Sequence, residues 1–384
     1  MLRTVTCLAG ALTLAAALPA NAATRTATAS TWKAVFAAAK AGDTIRLSGT
    51  FGRVALQDRS FTTALTIDAR GATFTDTLSL SRIDNVRVLG GTYGSTSAAM
   101  AAAVRVSGSS RILFSAPKVN GNGTSSHGID VGSSTGITID KGIFTGLRLG
   151  VGFIAVTNGK LTGNQSIRAS NDGFNVADSH NILVSRNSCS GTAITPGAHP
   201  DCVQLWSIAG NAPQSDIEIS DNTATGATQG FTSFNGKDGG GIRFKFLRNR
   251  VDTSYPQGIA CYECVDSQFI GNILTTQAGA RWRTSMNIVG GRNNVISGNS
   301  VAAYAGLTLS AVGFGATDLL AFEADLPDVV RFDDPGDLSF GDGAAALAPV
   351  IGAAAVPEPA TWLLAIAGFA VVGAAARRRR ALAA

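Results

Sequence analysis

The chain has 384 residues, of which only 15% are charged and 45 are glycine. This length allows two or three ordinary domains, and the low charge favours a fold with many tight turns and polar, uncharged faces. The formal net charge of +5 comes from the chain ends, because without Arg3, Glu358 and Arg377–Arg380 the body carries 26 basic and 25 acidic residues. A near-neutral body gives no case for a nucleic-acid partner.

Residues 1–22 have the three parts of a secretory signal peptide. Arg3 supplies the charged start, Leu8–Leu18 the apolar run, and Ala20–Ala22 a small-x-small cleavage site. Export would bring the remaining cysteines into an oxidising compartment, where disulfides form.

Four cysteines remain once Cys7 leaves with the signal peptide, and they allow three pairings. A disulfide between Cys189 and Cys202 would close the loop between them. Cys261 and Cys264 can be a second disulfide or, equally, one core and one turn cysteine. Zinc is not favoured, because no second Cys or His pair stands at ligand spacing.

An amphipathic helix is predicted directly after the signal peptide. Trp32, Val35 and Phe36 have helical spacing, with Ser30 and Thr31 before them as N-cap residues. The open end of a stacked array needs a cover, so we expect this helix to cap the fold.

Five segments of the central chain repeat one pattern around an apolar anchor, at steps of 29, 28, 28 and 27 residues. The anchors are Phe174, Val203, Phe231, Ile259 and Met286. A second alternating apolar run follows each anchor and ends in asparagine, at Asn187, Asn222, Asn249, Asn272 and Asn299. A sustained period of this size without helical periodicity indicates an all-β fold, a single-stranded parallel β-helix over residues 23–310.

The register of the repeat gives two structural expectations. The anchors should stack in one inward column, beside a second column of Val176, Leu205, Ser233, Cys261 and Ile288. The asparagine side chains should bond backbone groups or one another along the stack, as asparagine ladders do in stacked strands.

The C-terminal part of the chain divides into two segments. Residues 311–355 lose the period, are acidic and then low in complexity, which predicts a C-terminal cap and a linker. Residues 356–384 contain Val356–Pro359, an apolar run over 361–376 and the cluster Arg377–Arg380. This apolar run is shorter than the roughly 20 residues that usually span a bilayer, although snorkelling arginines extend its reach.

The segment 356–384 resembles the PEP-CTERM sorting signal of Gram-negative bacteria, because motif, apolar run and basic cluster follow in that order at the chain end. The resemblance implies an exosortase-type processing enzyme as partner. It also implies transient anchoring in the membrane through a C-terminal helix, and a final location at the cell envelope, surface or extracellular matrix. The alternative is a plain single-span tail anchor with its basic cluster in the cytoplasm.

The rest of the chain, over roughly residues 30–310, resembles the pectate-lyase-like superfamily of right-handed parallel β-helix proteins. The features that carry this are the helix followed by Gly42–Leu47, the repeated x-Gly-apolar-x-apolar strands and the asparagine-terminated second strands. The superfamily includes polysaccharide lyases, glycoside hydrolases, uronate epimerases and phage tailspikes, so the resemblance implies a fold more than an activity. The motif set of polygalacturonases and the Asp-Pro-His motif of alginate epimerases are absent.

The repeat register places Asp172 one coil below Asp201, at the strand spacing of about 4.8 Å. Two neighbouring carboxylates can act as acid and base or hold a calcium ion. They can equally belong to a turn ladder of Asp and Gln that satisfies backbone groups. His199, beside Asp201, can take up a proton near neutral pH. The sequence thus gives Asp201, His199 and Asp172 as the candidate catalytic set.

Outward polar and aromatic positions are the candidate binding residues. Alternation from Val203 puts Gln204 and Trp206 outward, and Asn175 continues the same polar strip. Lys237 and Arg281 come from loops and would neutralise a uronate carboxylate.

These residues predict action on an acidic extracellular polysaccharide, with a lyase or epimerase of uronate-containing glycan favoured over a glycoside hydrolase. The alternative from another class is a non-catalytic exopolysaccharide-binding, matrix or adhesion protein.

Overall fold

A computed structural model of the chain describes residues 22–94, 102–123, 126–195, 198–208, 210–234 and 240–301, and the strands Tyr304–Ala305 and Val312–Phe314. The predicted signal peptide up to residue 21 and the sorting segment 356–384 lie outside this range. Within it, no helix is both long and apolar enough to cross a membrane.

The chain forms a parallel β-solenoid in which each coil contributes one strand to each of three sheets. Sheet A contains the strands Ala102–Ser107, His127–Gly132, Leu149–Ile154, Asp172–Ala177, Asp201–Trp206, Gln229–Ser233, Gln257–Tyr262, Ser285–Val289 and Tyr304–Ala305. Sheet B contains Ser110–Ser115, Thr135–Asp140, Thr157–Thr162, His180–Ser185, Ser215–Ser220, Lys245–Leu247, Gln268–Ile270, Asn294–Ser297 and Val312–Phe314. Sheet C contains Thr92–Gly94, Lys118–Asn120, Ile143–Thr145, Gln165–Ile167, Ser188–Ser190, Thr223–Gly226, Arg250–Thr253, Ile273–Thr276 and Ser300–Val301.

The N-terminal coils are built from longer strands that bend from one sheet to the next, namely Thr24–Ala27, Thr44–Phe51, Val54–Phe74 and Leu78–Leu89. The predicted helix is present at Trp32–Ala38. Its Phe36 ring packs edge-on against Phe61, with 6.4 Å between ring centroids. The predicted side-chain cap is wrong, because the Thr31 hydroxyl accepts the Thr28 N–H and makes no cap hydrogen bond.

The two predicted inward columns are confirmed. Phe174 pairs in register with Val203, and the same column continues through Phe231, Ile259 and Met286. All five anchors are fully buried. The second column, from Val176 to Ile288, runs beside it in the same register.

The asparagine ladder is also confirmed, at the corner between sheets B and C. Asn222 shows the pattern: its Nδ2 donates to the Val184 carbonyl at 2.9 Å and to Asn249 Oδ1 at 3.0 Å, and its Oδ1 accepts the Asn187 N–H. The ladder begins one coil earlier than predicted, at Asn164. Because each amide from Asn164 to Asn272 bonds both neighbouring coils, the ladder satisfies buried backbone groups along the stack.

Tight corners at the start of the sheet A strands set the direction of the next side chains. A Cβ on Gly173 would lie 2.6 Å from Cys189 Sγ, and one on Gly230 would lie 1.9 Å from the Gly258 carbonyl oxygen. These glycines therefore turn inward, and the residue before each of them turns outward. Cys202 occupies the corresponding position of its own coil.

The structure confirms the predicted disulfide between Cys189 and Cys202, whose Cα atoms are 5.5 Å apart. It also pairs Cys261 with Cys264. The first disulfide joins sheets C and A and closes the loop that carries His199.

Candidate functional site

The outer face of sheet A carries three columns of side chains that run along the stack. The first column holds His127, Leu149, Asp172, Asp201, Gln229 and Gln257. The second holds Asp130, Gly152, Asn175, Gln204, Thr232, Ala260 and Asn287. The third holds Ile154, Ala177, Trp206, Phe234 and Tyr262. The second column contains Asn175 and Gln204, the two positions of the predicted polar strip, together with Asp130 and Asn287.

The structure brings His199 and Asp201 together. Nδ1 of His199 lies 3.0 Å from Oδ2 of Asp201. The Asp201 side chain has no solvent exposure, whereas 29% of the His199 side chain is exposed. The second carboxylate oxygen, Oδ1, accepts the Thr232 hydroxyl at 2.8 Å. Both oxygens of Asp201 thus serve protein donors, and His199 is the member of the pair that reaches solvent.

The second ring nitrogen of His199 faces an amide. Nε2 of His199 is 2.9 Å from Nε2 of Gln229. The backbone N–H of His199 donates to Asn171 Oδ1 at 3.0 Å, and its ring packs edge-on against Phe234 with 5.5 Å between centroids. The imidazole is therefore held by contacts on several sides. A group that must present one nitrogen in a set direction requires such a fixed orientation.

Asp172 lies one coil below Asp201, as predicted, and its carboxylate bonds the next coil. Oδ1 accepts the backbone N–H of Asp201 at 3.1 Å, and Oδ2 faces the Asn175 amide nitrogen at 3.4 Å. Asp172 is buried, with 1% of its surface exposed. These contacts are those of the predicted turn ladder, in which the carboxylate satisfies backbone and amide donors.

The pair Asp172 and Asp201 does not fit the predicted calcium ion. All four carboxylate oxygens accept hydrogen bonds from protein groups, whereas calcium takes six to eight oxygen ligands. No group of three His, Cys, Asp or Glu side chains elsewhere in the described ranges has a metal-binding arrangement.

Asn175 organises the predicted binding residues. Its Nδ2 donates to Gln204 Oε1 at 2.9 Å, and its Oδ1 accepts the indole N–H of Trp206 at 2.5 Å. Asn175 itself is 2% exposed, while Gln204 and Trp206 are half-buried. The amide nitrogen of Gln204 donates to no group in the described part of the chain, so it can donate to a ligand.

The predicted loop cations lie away from this cluster or outside the described residues. Lys237 falls in the undescribed stretch 235–239. Arg281 lies in the loop before the strand Ser285–Val289, three coils from Asp201, or about 14 Å at the usual strand spacing, and its guanidinium covers the Trp282 ring at 4.7 Å. A further basic residue, Arg243 on the turn before sheet B, pairs with Asp216 at 2.6 Å.

Three contributors to the site were not predicted: Thr232, Phe234 and Tyr262. Phe234 and Tyr262 follow Trp206 at steps of 28 residues each, so the repeat period itself points to them. Their rings meet edge-on with 5.3 Å between centroids. Burial raises the pKa of Tyr262, which keeps its hydroxyl protonated.

A second histidine–aspartate contact lies two coils below Asp172. Nδ1 of His127 is 3.2 Å from Oδ1 of Asp130, and His127 is 4% exposed. His180 lies in sheet B, where Nδ1 bonds Ser215. Neither histidine belongs to the His199 cluster.

The described fold is that of a known family of solenoids. The family described as the right handed beta helix region matches residues 79–274, and the chain belongs to it. The PEP-CTERM protein-sorting motif matches residues 355–380, which indicates export and association with the cell surface. No curated protein sequence matches the chain significantly.

Solved structures share the fold at low sequence identity. A family 28 exopolygalacturonase from Yersinia enterocolitica aligns over 77% of this chain and 77% of its own, with 10% identity and a TM-score of 0.51. The A-module of mannuronan C-5 epimerase AlgE4 from Azotobacter vinelandii aligns over 75% of this chain and 94% of its own, with 13% identity and a TM-score of 0.48. An alginate lyase from Paenibacillus sp. str. FPU-7 aligns over 76% of this chain and 98% of its own, with 14% identity and a TM-score of 0.45. The likeness to the exopolygalacturonase shows the fold alone.

Proposed function

We propose that this exported protein acts on a uronate-containing extracellular polysaccharide as a lyase or epimerase, with His199 as the base. Both reactions begin when a base removes the proton from C5 of a uronate, next to its carboxylate. The observation that carries the proposal is the buried carboxylate of Asp201 on Nδ1 of the half-buried His199. A carboxylate in that position holds the imidazole in one tautomer and stabilises the imidazolium that forms.

The steps after proton removal distinguish the two reactions. In a lyase the C5–H electron pair forms the C4–C5 double bond, the bond from C4 to its glycosidic oxygen breaks, and that oxygen takes a proton. In an epimerase C5 is reprotonated from the opposite face. Tyr262 keeps its proton and lies beside Phe234 in the third column. It is thus a candidate donor for either step.

Binding would use the second and third columns. The amide nitrogen of Gln204, aligned by Asn175, can donate to the uronate carboxylate or a hydroxyl, and the Trp206 ring can stack on a sugar face. We include Lys237 and Arg281 as cations for carboxylates further along the glycan. Asp172 has a positioning role, since its oxygens hold the Asp201 backbone and the Asn175 amide.

A glycoside hydrolase is the least supported of the catalytic options. Hydrolysis uses two carboxyl groups on either side of the scissile bond, one to protonate the leaving oxygen and one to act as base or nucleophile. Asp172 and Asp201 are 1% and 0% exposed, so neither carboxylate reaches a substrate.

One observation favours the non-catalytic alternative, a binding or matrix protein. Nε2 of His199 already bonds Gln229, and a base must release that contact before it accepts a proton from carbon. A binding protein needs only the amides and the Trp206 ring.

The remaining parts of the proposal concern the chain ends. We propose removal of the signal peptide 1–22, a β-helix domain over 23–310, a cap and linker over 311–355, and transient anchoring through 356–384 before exosortase-type processing. The helix Trp32–Ala38 would cap the first coil, because Trp32 and Phe36 line, with core residues such as Leu47 and Leu56, a small apolar cavity at that end.

The test is a panel of acidic glycans incubated with the protein lacking residues 1–22 and 356–384. Unsaturated product, followed by ultraviolet absorbance, indicates a lyase. A changed uronate composition by NMR, without chain cleavage, indicates an epimerase. His199→Gln serves as the matched inactive variant and a neutral glucan as the substrate control. Binding of acidic glycans by calorimetry with neither product would support the matrix protein instead.

A further inference from the structure

Gln229 is the residue directly above Asp201 in the first column of sheet A. Its side chain is buried, with 5% of the residue exposed. Its Nε2 lies 2.9 Å from Nε2 of His199, while its Oε1 is buried and has no hydrogen-bond partner within the described part of the chain. A buried amide oxygen without a partner is unusual, because nearly all such atoms are bonded in native proteins.

The contact between His199 and Gln229 suits only one protonation state of the imidazole ring, the neutral one. Nδ1 of His199 faces a carboxylate and therefore carries a proton. In the neutral ring Nε2 has a lone pair and accepts one N–H of the Gln229 amide. In the imidazolium Nε2 carries a proton and repels that N–H.

A half-turn of the amide about its terminal bond resolves this conflict. The turn exchanges Oε1 and Nε2, which have nearly the same shape. The oxygen then accepts the new proton on His199 Nε2, and the ring does not move. The unpartnered Oε1 is the atom that this second state requires.

We propose that Gln229 is a positioning residue that keeps His199 aligned in both protonation states by turning its amide. The inference rests on the proposed role of His199 in proton transfer, and it assigns to Gln229 the task of holding the captured proton. A base that receives a proton from C5 must keep its ring in place while it carries the charge. Gln229 provides an acceptor at that moment and a donor before it.

The charged and titratable groups around His199 come from several strands. Asp201 contacts the ring, and Asp172 lies one coil below, bonded to the Asp201 backbone. The strand of Gln229 contributes the Thr232 hydroxyl, and the next strand contributes Tyr262, behind Phe234. Asp201 and Asp172 are the acidic side chains among these described groups, and a carboxylate introduced at position 229 would lie directly against Nε2.

The experiment is an NMR titration of the histidine rings, which needs no substrate. The chain has three histidines, His127, His180 and His199, and His199→Gln assigns the third. In Gln229→Glu a carboxylate replaces the amide and can only accept, so the imidazolium is favoured. We expect the proton affinity of His199 to rise at least about tenfold, with the other two histidines unchanged. In Gln229→Met the ¹⁵N resonance of Nε2 in the neutral ring should move away from its wild-type value, because the Gln229 donor is lost.

Gln257 supplies the matched controls, because it occupies the same column one coil further and bonds Asn287. Gln257→Glu adds the same charge without touching His199, and Gln257→Met removes an amide elsewhere. The inference is overturned if Gln229→Glu shifts the His199 titration no more than Gln257→Glu does. The inference is equally overturned if Gln229→Met leaves the Nε2 resonance of His199 unchanged while the amide spectrum shows that the protein remains folded.

Failure of the proposed function has a different signature. If both Gln229 variants behave as expected but no acidic glycan is altered, Gln229 still sets the protonation of His199 and the catalytic role is wrong. If glycan is altered, Gln229→Met should lower kcat more than it raises KM, since the amide acts on the charged ring and not on the bound sugar.

Discussion

His199 and Asp201 are two residues apart in the chain, yet one is half-buried and the other is fully buried, with 3.0 Å between Nδ1 and Oδ2. Pro200 separates them at the end of the loop that the Cys189–Cys202 disulfide closes. The buried carboxylate cannot meet a glycan, but it can fix the tautomer of a ring that does.

Asp201→Asn tests that relationship. The amide keeps the volume but removes the charge that would stabilise the imidazolium, so we expect turnover of a uronate glycan to fall at least about 100-fold. The melting temperature should change little compared with that loss. Initial rates and thermal melts on the same preparation measure both, with Asp178→Asn, in the neighbouring turn, as control. Equal activity of Asp201→Asn and wild type would remove Asp201 from the mechanism.

Trp206→Ala should act on binding. A stacking ring contributes affinity before it contributes rate, so we expect KM or Kd to rise about three- to tenfold with kcat nearly constant. Trp282→Ala is the matched control, because Trp282 is 38% exposed but lies in a loop under Arg281. A large loss of kcat with unchanged KM would show that Trp206 positions the reacting groups instead.

Asn222→Ala should be strongly destabilising. It leaves the Val184 carbonyl and the Asn187 N–H without their partners in the interior. Each unsatisfied buried group costs about 1–3 kcal/mol, and we expect a loss of unfolding free energy of about 2–4 kcal/mol. Chemical denaturation measures it, with exposed Asn211→Ala as control. A loss similar to that of Asn211→Ala would contradict a structural ladder.

Asp84 gives a pH-dependent contribution to stability. The Arg111 guanidinium, helped by the hydroxyls of Ser110 and Ser60, holds the pKa of Asp84 far below its usual range. Because its pKa is depressed in the folded state, the ionised Asp84 contributes stability at pH values above the unfolded-state pKa near 3.9. This contribution is lost as the pH falls toward the folded-state pKa. The Arg111 side chain is 59% exposed, so solvent screening limits the effect.

Asp84→Asn should therefore cost about 0.5–1 kcal/mol at neutral pH, with the deficit shrinking below about pH 4. Thermal melts across pH provide the measurement. Asp76→Asn, in the looser exposed pair with Arg53, should show almost no deficit. A deficit for Asp84→Asn that is independent of pH would mean that packing and not charge is responsible.

Deletion of residues 356–384 tests sorting. The segment contains the matched PEP-CTERM motif and no strand of the described stack. We expect the truncated protein to leave the envelope fraction and appear in the medium, with its melting temperature unchanged. Fractionation and calorimetry decide the outcome: an unaltered distribution contradicts sorting, and lost stability assigns the tail to the fold.

The columns and the ladder were predictable because two periods combine. Strand alternation places Phe174 and Val176 on one face, and the 28-residue step fixes which residues pair across coils. The earlier coils were harder to predict, because the step shortens between Ile129, Val151 and Phe174. Strict alternation would place Asp172 on the inward face with Phe174. The tight corner at Gly173 instead turns Asp172 to the outer face.

The site was only partly predictable, because its environment comes from other coils. The sequence indicates that Asp201 and His199 are close, but the environment of the fully buried Asp201 includes Thr232 from the next coil. The pairing of the amide of Gln229 with His199 depends on how the loop before Asp201 folds back over the next strand. No residue pattern in a single coil carries that information.

The cysteine at position 202 bears on the order of events in biogenesis. It stands where neighbouring coils carry glycine, and the interior accepts it because its sulfur is joined to that of Cys189. Two unjoined thiols need more room than one disulfide, and both residues are almost fully buried. We therefore expect the coil that carries His199 to close only after oxidation. The protein would then cross the membrane with its candidate site unassembled and acquire it after export, in an oxidising compartment.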